Sequence, residues 1–297
     1  MQPPSDCSNF RGQRQPTWAE PSMTLPPISI EFFPPKTPAG ERKLVKVRKT
    51  LGELGPQHYS VTYGAGGSPR AGTRQTVIAI NDAGARVAPH LSFGTDEPED
   101  IATLIEEYKS AGINRVVALR GDAPSGIGAG GQLRFAEELV RFIRALTGAH
   151  FTIDVAAYPE IPPESKSVAH DIRFFKAKVD AGADGAITQY FYNADAYFRY
   201  VDLCAAEGIK IDIVPGIMPI TNYVNLKRFS ANCGAEIPRW LDRQLESFGD
   251  DAESLMALGT EVVTKLCERL IAGGAPGLHF YSLNQPEPTR EIVRNLS

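Results

Sequence analysis

Eight short apolar runs recur along the chain, at 28–32, 58–62, 87–92, 115–119, 152–157, 185–189, 211–217 and 277–281. Each has the length of a buried parallel strand. Between them the apolar spacing becomes helical. Ile101, Leu104, Ile105 and Tyr108 fall on one helical face, as do Phe135, Leu139, Phe142, Ile143 and Leu146. The same spacing joins Val168, Ile172, Phe175 and Val179, and then Leu255, Leu258, Val262, Leu266 and Leu270. Gly112, Gly148, Gly182 and Gly208 stand where helices close. A short helix from about Glu287 follows the last strand. Strands alternating with helices imply a parallel sheet. Eight such units in roughly 270 residues match the closed (β/α)8 TIM barrel, an α/β fold. A doubly wound open sheet is the runner-up, but it uses fewer strands and usually a glycine-rich turn directly after the first, which this chain lacks.

The 297 residues permit one large domain or two small ones, and a 42% hydrophobic share gives ample core. The reading is a single barrel domain over 28–297. Residues 1–27 are rich in Pro, Ser and Gln without periodic apolar pattern, and read as a flexible N-terminal arm. Met23 stands just before the first strand, so a later start would lose little of the fold. A net charge of -4 argues against a nucleic-acid or membrane binder. Cys7, Cys204, Cys233 and Cys267 lie far apart with no CxxC spacing, as reduced thiols of a cytoplasmic protein would. No apolar stretch is long enough to span a bilayer, and the first residues lack a secretory apolar core.

Polar and aromatic groups follow nearly every strand. Strand one ends at Glu31, inside Ile28-Ser29-Ile30-Glu31-Phe32-Phe33-Pro34-Pro35. Strand two runs into Thr62-Tyr63-Gly64-Ala65, strand three carries His90 and Ser92, and strand four leads to Arg120-Gly121-Asp122. Tyr158-Pro159-Glu160 and Thr188-Gln189-Tyr190 end the next two. Pro219 and Tyr223 follow strand seven, and Tyr281 and Asn284 close strand eight. In a barrel these positions converge on the C-terminal face, where active sites are built. Glu31 among apolar neighbours is a costly charge unless paired, protonated or used, and apolar walls would make it a proton donor near neutral pH.

Other chemistries fit less well. Five histidines (His58, His90, His150, His170, His279) form no HxH or HExxH pair, and His58 and His150 open or precede their strands, at the wrong end of a barrel. No strand ends in a Schiff-base lysine. Gly126-Ile127-Gly128-Ala129-Gly130-Gly131 matches GxGxxG only formally, since it lies well beyond strand four; it reads as a loop near the site. Amides, acids and the rings of Tyr63, Tyr158, Tyr190, Tyr223 and Tyr281 suit a flat heteroaromatic cofactor and substrate. Arg120 suits phosphate or ribose, and Gly121 a close backbone approach.

The blocks Glu31-Phe-Phe-Pro-Pro, Val61-Thr62-Tyr63-Gly64-Ala65, Ala88-Pro89-His90-Leu91, Ala118-Leu119-Arg120-Gly121-Asp122, Ala157-Tyr158-Pro159-Glu160, Ile187-Thr188-Gln189, Pro215-Gly216-Ile217-Met218-Pro219 and His279-Phe280-Tyr281-Ser282-Leu283-Asn284 resemble, in order, methylenetetrahydrofolate reductase in its short, catalytic-only form. The resemblance implies a barrel with FAD and with NADH or NADPH as co-substrate. It implies reduction of 5,10-methylenetetrahydrofolate to 5-methyltetrahydrofolate, in one-carbon metabolism and methionine supply, by a homo-oligomer. It makes Glu31 the general acid toward folate N10, and sets Asp122 beside pterin and flavin. Gln189, Tyr223, Tyr281 and Gln285 would meet substrate. Thr62, Tyr63, Ala65, His90, Arg120, Gly121, Asp122, Ala136, Tyr158, Asp171 and Lys178 would hold cofactor; Asp171 and Lys178, seven apart, share a helix face.

Departures from the family pattern cluster at the flavin. Pro162 stands where many bacterial members carry His. Phe174 and Ala177 replace Asn and Arg, and Phe135 replaces a common Tyr; apart from the flavin, Gln285 follows Asn284 where Arg is usual, which bears on the folate contact. Losing such a hydrogen bond costs ~1.5–3 kcal/mol, which implies looser FAD. His170, beside Asp171, is expected to compensate at the adenine or pyrophosphate end. The alternatives are a flavin-independent reductase and a barrel that binds methyltetrahydrofolate without redox chemistry.

Overall fold

A computed structural model describes residues 25–63, 70–92, 97–120, 135–160, 162 and 165–297. The strands are β1 (Ile28–Phe32), β2 (His58–Val61), β3 (Val87–Leu91), β4 (Arg115–Ala118), β5 (Thr152–Ala157), β6 (Gly185–Thr188), β7 (Asp212–Val214), β8 (Gly216–Ile217) and β9 (Leu278–Tyr281). The helices are α1 (Pro38–Gly52), α2 (Arg70–Asp82), α3 (Pro98–Ser110), α4 (Ala136–Thr147), α5 (Val168–Asp180), α6 (Ala194–Ala206), α7 (Tyr223–Cys233), α8 (Arg239–Ser247), α9 (Ala252–Ala272) and α10 (Glu287–Asn295).

All pairings are parallel, in the order β7-β6-β5-β4-β3-β2-β1-β9-β8. The run at 211–217 is one strand broken at Pro215, whose missing N–H ends regular pairing. Its first half pairs with β6, through Gly185↔Asp212. Its second half pairs with β9, through Gly216↔His279. The Pro215 carbonyl accepts the His279 N–H at 3.0 Å, so the broken strand brings the two edges of the sheet together. The fold is the α/β TIM barrel that the strand–helix alternation implies.

Alternation along the strands divides the core. On β1, Ile28, Ile30 and Phe32 are buried in the apolar cluster shared with the helices. Ser29 and Glu31 turn the other way, into the barrel. Helix ends follow the sequence signals: Gly112, Gly148, Gly182 and Gly208 all take positive φ, which glycine adopts at little cost. One face differs from its reading. In α4, Leu139 and Ile143 are fully buried, but Phe135 and Leu146 remain exposed, because Phe135 sits at the N-cap and Leu146 in the last turn. Residues 1–24 of the expected arm, and the 126–131 glycine loop, lie outside the described residues. Leu25 packs on the core, and the Pro27 carbonyl accepts the Leu278 N–H at 3.0 Å. Among the described residues no helix is long and apolar enough to cross a membrane.

Candidate active site

Glu31 is near the C-terminal end of β1, and its side chain is 16% exposed. Its Oε2 lies 3.3 Å from His90 Nε2 on β3 and 3.6 Å from His279 Nε2 on β9. The carboxylate therefore stands between two imidazoles, not against the apolar walls its sequence neighbours suggest. Strand alternation explains the difference: Ile30 and Phe32 point outward, and the residues that surround Glu31 come from other strands. The Ser29 hydroxyl lies 2.7 Å from His279 Nδ1 and fixes that ring. Burial lowers the His90 pKa, Glu31 opposes that shift, and His279 adds to it. Among described contacts, neither His90 nor His279 Nε2 makes a well-aligned hydrogen bond.

The backbone around Glu31 is clamped. The Ser282 hydroxyl donates to the Glu31 carbonyl at 2.6 Å. Asn284 accepts from the Phe33 N–H at 3.1 Å and donates to the Phe33 carbonyl at 2.9 Å. Leu283 and Asn284 both hold positive φ, 51° and 54°, which is costly without glycine and persists where surrounding bonds enforce it.

The other mouth residues are distributed as follows. Thr62 follows β2; its Oγ1 is buried and has no hydrogen-bond partner among the described residues. Gln189 folds its Oε1 onto the Tyr190 N–H at 3.0 Å, leaving its Nε2 unpartnered among the described residues. Tyr281 spends its hydroxyl on the Thr188 carbonyl at 2.7 Å, across the barrel closure. Burial, and then the nearby Glu31 carboxylate, raise the cost of ionising it, and its pKa lies well above the ordinary value. What Tyr281 retains for a ligand is its ring. Tyr63 and the exposed Arg120 follow β2 and β4. Ala65, Gly121 and Asp122 lie outside the described residues.

On the β5–α5 side, Lys178 donates to the Ala156 carbonyl at 2.6 Å and lies 5.9 Å from the Tyr158 ring centroid. Burial lowers its pKa to about 8, against the pull of Asp171 and Glu137. Burial raises the Asp171 pKa, and Lys178 and His170 oppose that. Ala136 opens α4. This flank offers a cation, a carboxylate and aromatic faces, a donor set that fits a dinucleotide.

The model of the methylenetetrahydrofolate reductase family matches residues 20–297. The chain belongs to the methylenetetrahydrofolate reductase family. It is 38% identical over 270 residues to 5,10-methylenetetrahydrofolate reductase of Escherichia coli (strain K12), covering 91% of this chain and 90% of that protein. It is 37% identical over 288 residues to methylenetetrahydrofolate reductase (NADH) 1 of Arabidopsis thaliana, covering 91% of this chain and 48% of the plant protein. The chain is accordingly an oxidoreductase acting on methylenetetrahydrofolate. Among solved structures, a Clostridium thermocellum protein described as binding two copies of 5-methyl-5,6,7,8-tetrahydrofolic acid superposes with TM-score 0.66 at 15% identity, over 93% of this chain and 95% of that one. That likeness supports the barrel fold.

Two further residues that the sequence places at the site stand apart from Glu31. Tyr223 opens α7, and its hydroxyl donates to Asp242 of α8 at 2.8 Å, with Lys227 Nζ at 3.3 Å. Gln285 is exposed and bonded through its backbone N–H to the Ser282 carbonyl at 2.9 Å. His279 is the residue that sequence reading left out of the site. The alternation of β9 puts His279 and Tyr281 on the barrel side, but only the pairing of β9 with β1 sets His279 beside Glu31.

Proposed function

We propose that the protein reduces 5,10-methylenetetrahydrofolate to 5-methyltetrahydrofolate with FAD as prosthetic group and NADH or NADPH as hydride donor, in the cytoplasm. The observation that carries this reading is Glu31, a mostly buried acid at the barrel mouth with two imidazoles against its carboxyl. Protonating folate N10 opens the five-membered ring and leaves the methylene on N5 as an electrophile. One hydride at that carbon and one proton at N10 balance the reaction. Glu31 supplies the proton, and the Ser29–His279 bond and the Asn284 clamp hold Glu31 in place. Gln189 Nε2 and the Tyr281 ring, which meets the His279 ring edge-on at 5.3 Å, would meet the pterin. Asp122, Tyr223 and Gln285 complete the folate side in this reading.

FAD, when bound, carries hydride between nicotinamide and folate. Thr62, Tyr63, Ala65, His90, Arg120, Gly121, Ala136, Tyr158, Asp171 and Lys178 would hold it. The unpartnered Thr62 hydroxyl and the Lys178 ammonium are the donors that support this assignment. The three described cysteines are unpaired, as in a reducing compartment.

Rapid mixing separates the two halves of the reaction. In the purified protein with FAD, Glu31→Gln leaves bleaching of flavin absorbance by NADH within about twofold of wild type. Reoxidation by methylenetetrahydrofolate slows at least ~100-fold, the scale of a lost general acid. Equal loss of both halves would make Glu31 structural. A wild-type protein that turns over without any flavin would instead favour direct hydride transfer from nicotinamide, the reading that Phe174 and Ala177 on α5 favour.

A further inference from the structure

Three features outside the Glu31 cluster stand out. A cavity of about 480 Å³ on the N-terminal side is lined by Arg48, Lys49 and Arg86, but Lys49 there complements the C-terminus of α1. Val224, Trp240 and Met256 are exposed, with nothing to define a partner. The third is an aromatic group at the start of α4 and α5. Phe135 and Phe174 stack with ring centroids 6.1 Å apart and planes 23° from parallel. The His170 ring meets Phe174 edge-on at 4.7 Å. Phe135 and Phe174 are 44% and 42% exposed.

Single exposed apolar side chains need no explanation, but a stacked pair beside charged groups does. Phe174 lies three residues after Asp171 and four before Lys178, so all three share one face of α5. Phe135 is held at the N-cap of α4, where its N–H donates to Glu138 at 3.0 Å. Both helices begin on the face where the strands end. The rings therefore lie on the same flank as the Lys178 ammonium and the Asp171 carboxylate, the groups assigned to the dinucleotide.

We infer that Phe174, with Phe135 and His170, forms the stacking surface for the adenine ring of bound FAD. This rests on the FAD reading above. Stacking takes over from the polar side chains that α5 lacks at Phe174 and Ala177. A π-face needs no matched donor or acceptor, so it holds a flat base without an amide or a guanidinium. The flavin ring and phosphates do not depend on this surface.

Equilibrium titration of flavin-free full-length protein with FAD, with FMN and with NADH tests this. FMN has the flavin ring but no adenine; NADH has adenine but no flavin. Phe174→Ala weakens FAD at least about tenfold, the scale of one lost base–aromatic stack, and leaves FMN and NADH within about twofold. Phe174→Trp restores FAD. Equal weakening of FAD and FMN, weakening of NADH alone, or no change for FAD would each overturn the inference. Wild-type protein that binds neither flavin would overturn the FAD reading itself, which is a different result from wild-type FAD binding that ignores Phe174.

Discussion

Lys178 shows how one residue can be made sensitive to its ligand. Its ammonium is buried beneath Tyr158 and Phe175 and donates to one carbonyl, and burial lowers its pKa from 10.5 to about 8. Without ligand, the unfolded chain holds this proton to higher pH than the folded one. This residue's contribution to stability therefore increases from about pH 8 to 10.5. A bound pyrophosphate favours the charged form and reverses the preference. FAD affinity should then fall as pH rises through about 8, by up to about tenfold per pH unit. In Lys178→Met, overall FAD affinity should be lower and that dependence absent. Titrations at pH 7, 8 and 9 check this; an unchanged slope in the variant would remove Lys178 from the phosphate site. The acid, Glu31, was legible in the sequence because it ends a strand beside an aromatic-proline run. His279 was not, because its relation to Ser29 and Glu31 exists only after the last strand pairs with the first, about 250 residues away.

At the scale of elements, closure of the barrel depends on the break at Pro215. Gly216 donates its N–H to the Thr188 hydroxyl at 2.9 Å. A Cβ on Gly216 would press into the Thr188 carbonyl oxygen and lie 2.7 Å from Tyr281 Cε2. That carbonyl is the one that receives the Tyr281 hydroxyl. Gly216→Ala should therefore force β6, β8 and β9 apart and destabilise by about 3 kcal/mol, the upper range for overpacking. Denaturant unfolding measures it, and a change under about 1 kcal/mol would show that the closure yields easily. The strand positions were readable because each buried run is continuous and ends in polar residues. The seventh run looked unbroken, although Pro215 within it marked where a strand cannot keep its ladder. Helices α7 and α8 were harder to see: α8 buries only Leu241 and Leu245, too few positions to establish a helical period.

Across the whole molecule, the barrel separates an apolar shell from a polar interior. The shell between sheet and helices holds Ile30, Val61, Leu91, Val155 and Phe280. His58, Ser60, His90, Asp154 and His279 are buried among the strands themselves, with Arg115 Nη1 2.6 Å from Asp154. Folding must keep His58 and His90 uncharged in a space that already contains Arg115. Burial, then Arg115, His279, Arg86 and His90, lower the His58 pKa to about 3. His58 opens its strand as expected, but it is enclosed in the barrel and not set at an open end. Between pH 6.5 and about 3 the unfolded chain binds a proton at His58 that the folded chain refuses, so acid removes stability. Among the described residues both His58 ring nitrogens lack a hydrogen-bond partner, so an apolar side chain of similar size loses no such bond. His58→Leu should therefore be about as stable as wild type at pH 7. At pH 4.5, two units below the free histidine value, it should be more stable than wild type by about 2–3 kcal/mol. Urea unfolding at the two pH values measures the difference. A variant that loses stability equally at both would mean that His58 contributes packing to the barrel interior and no acid sensitivity.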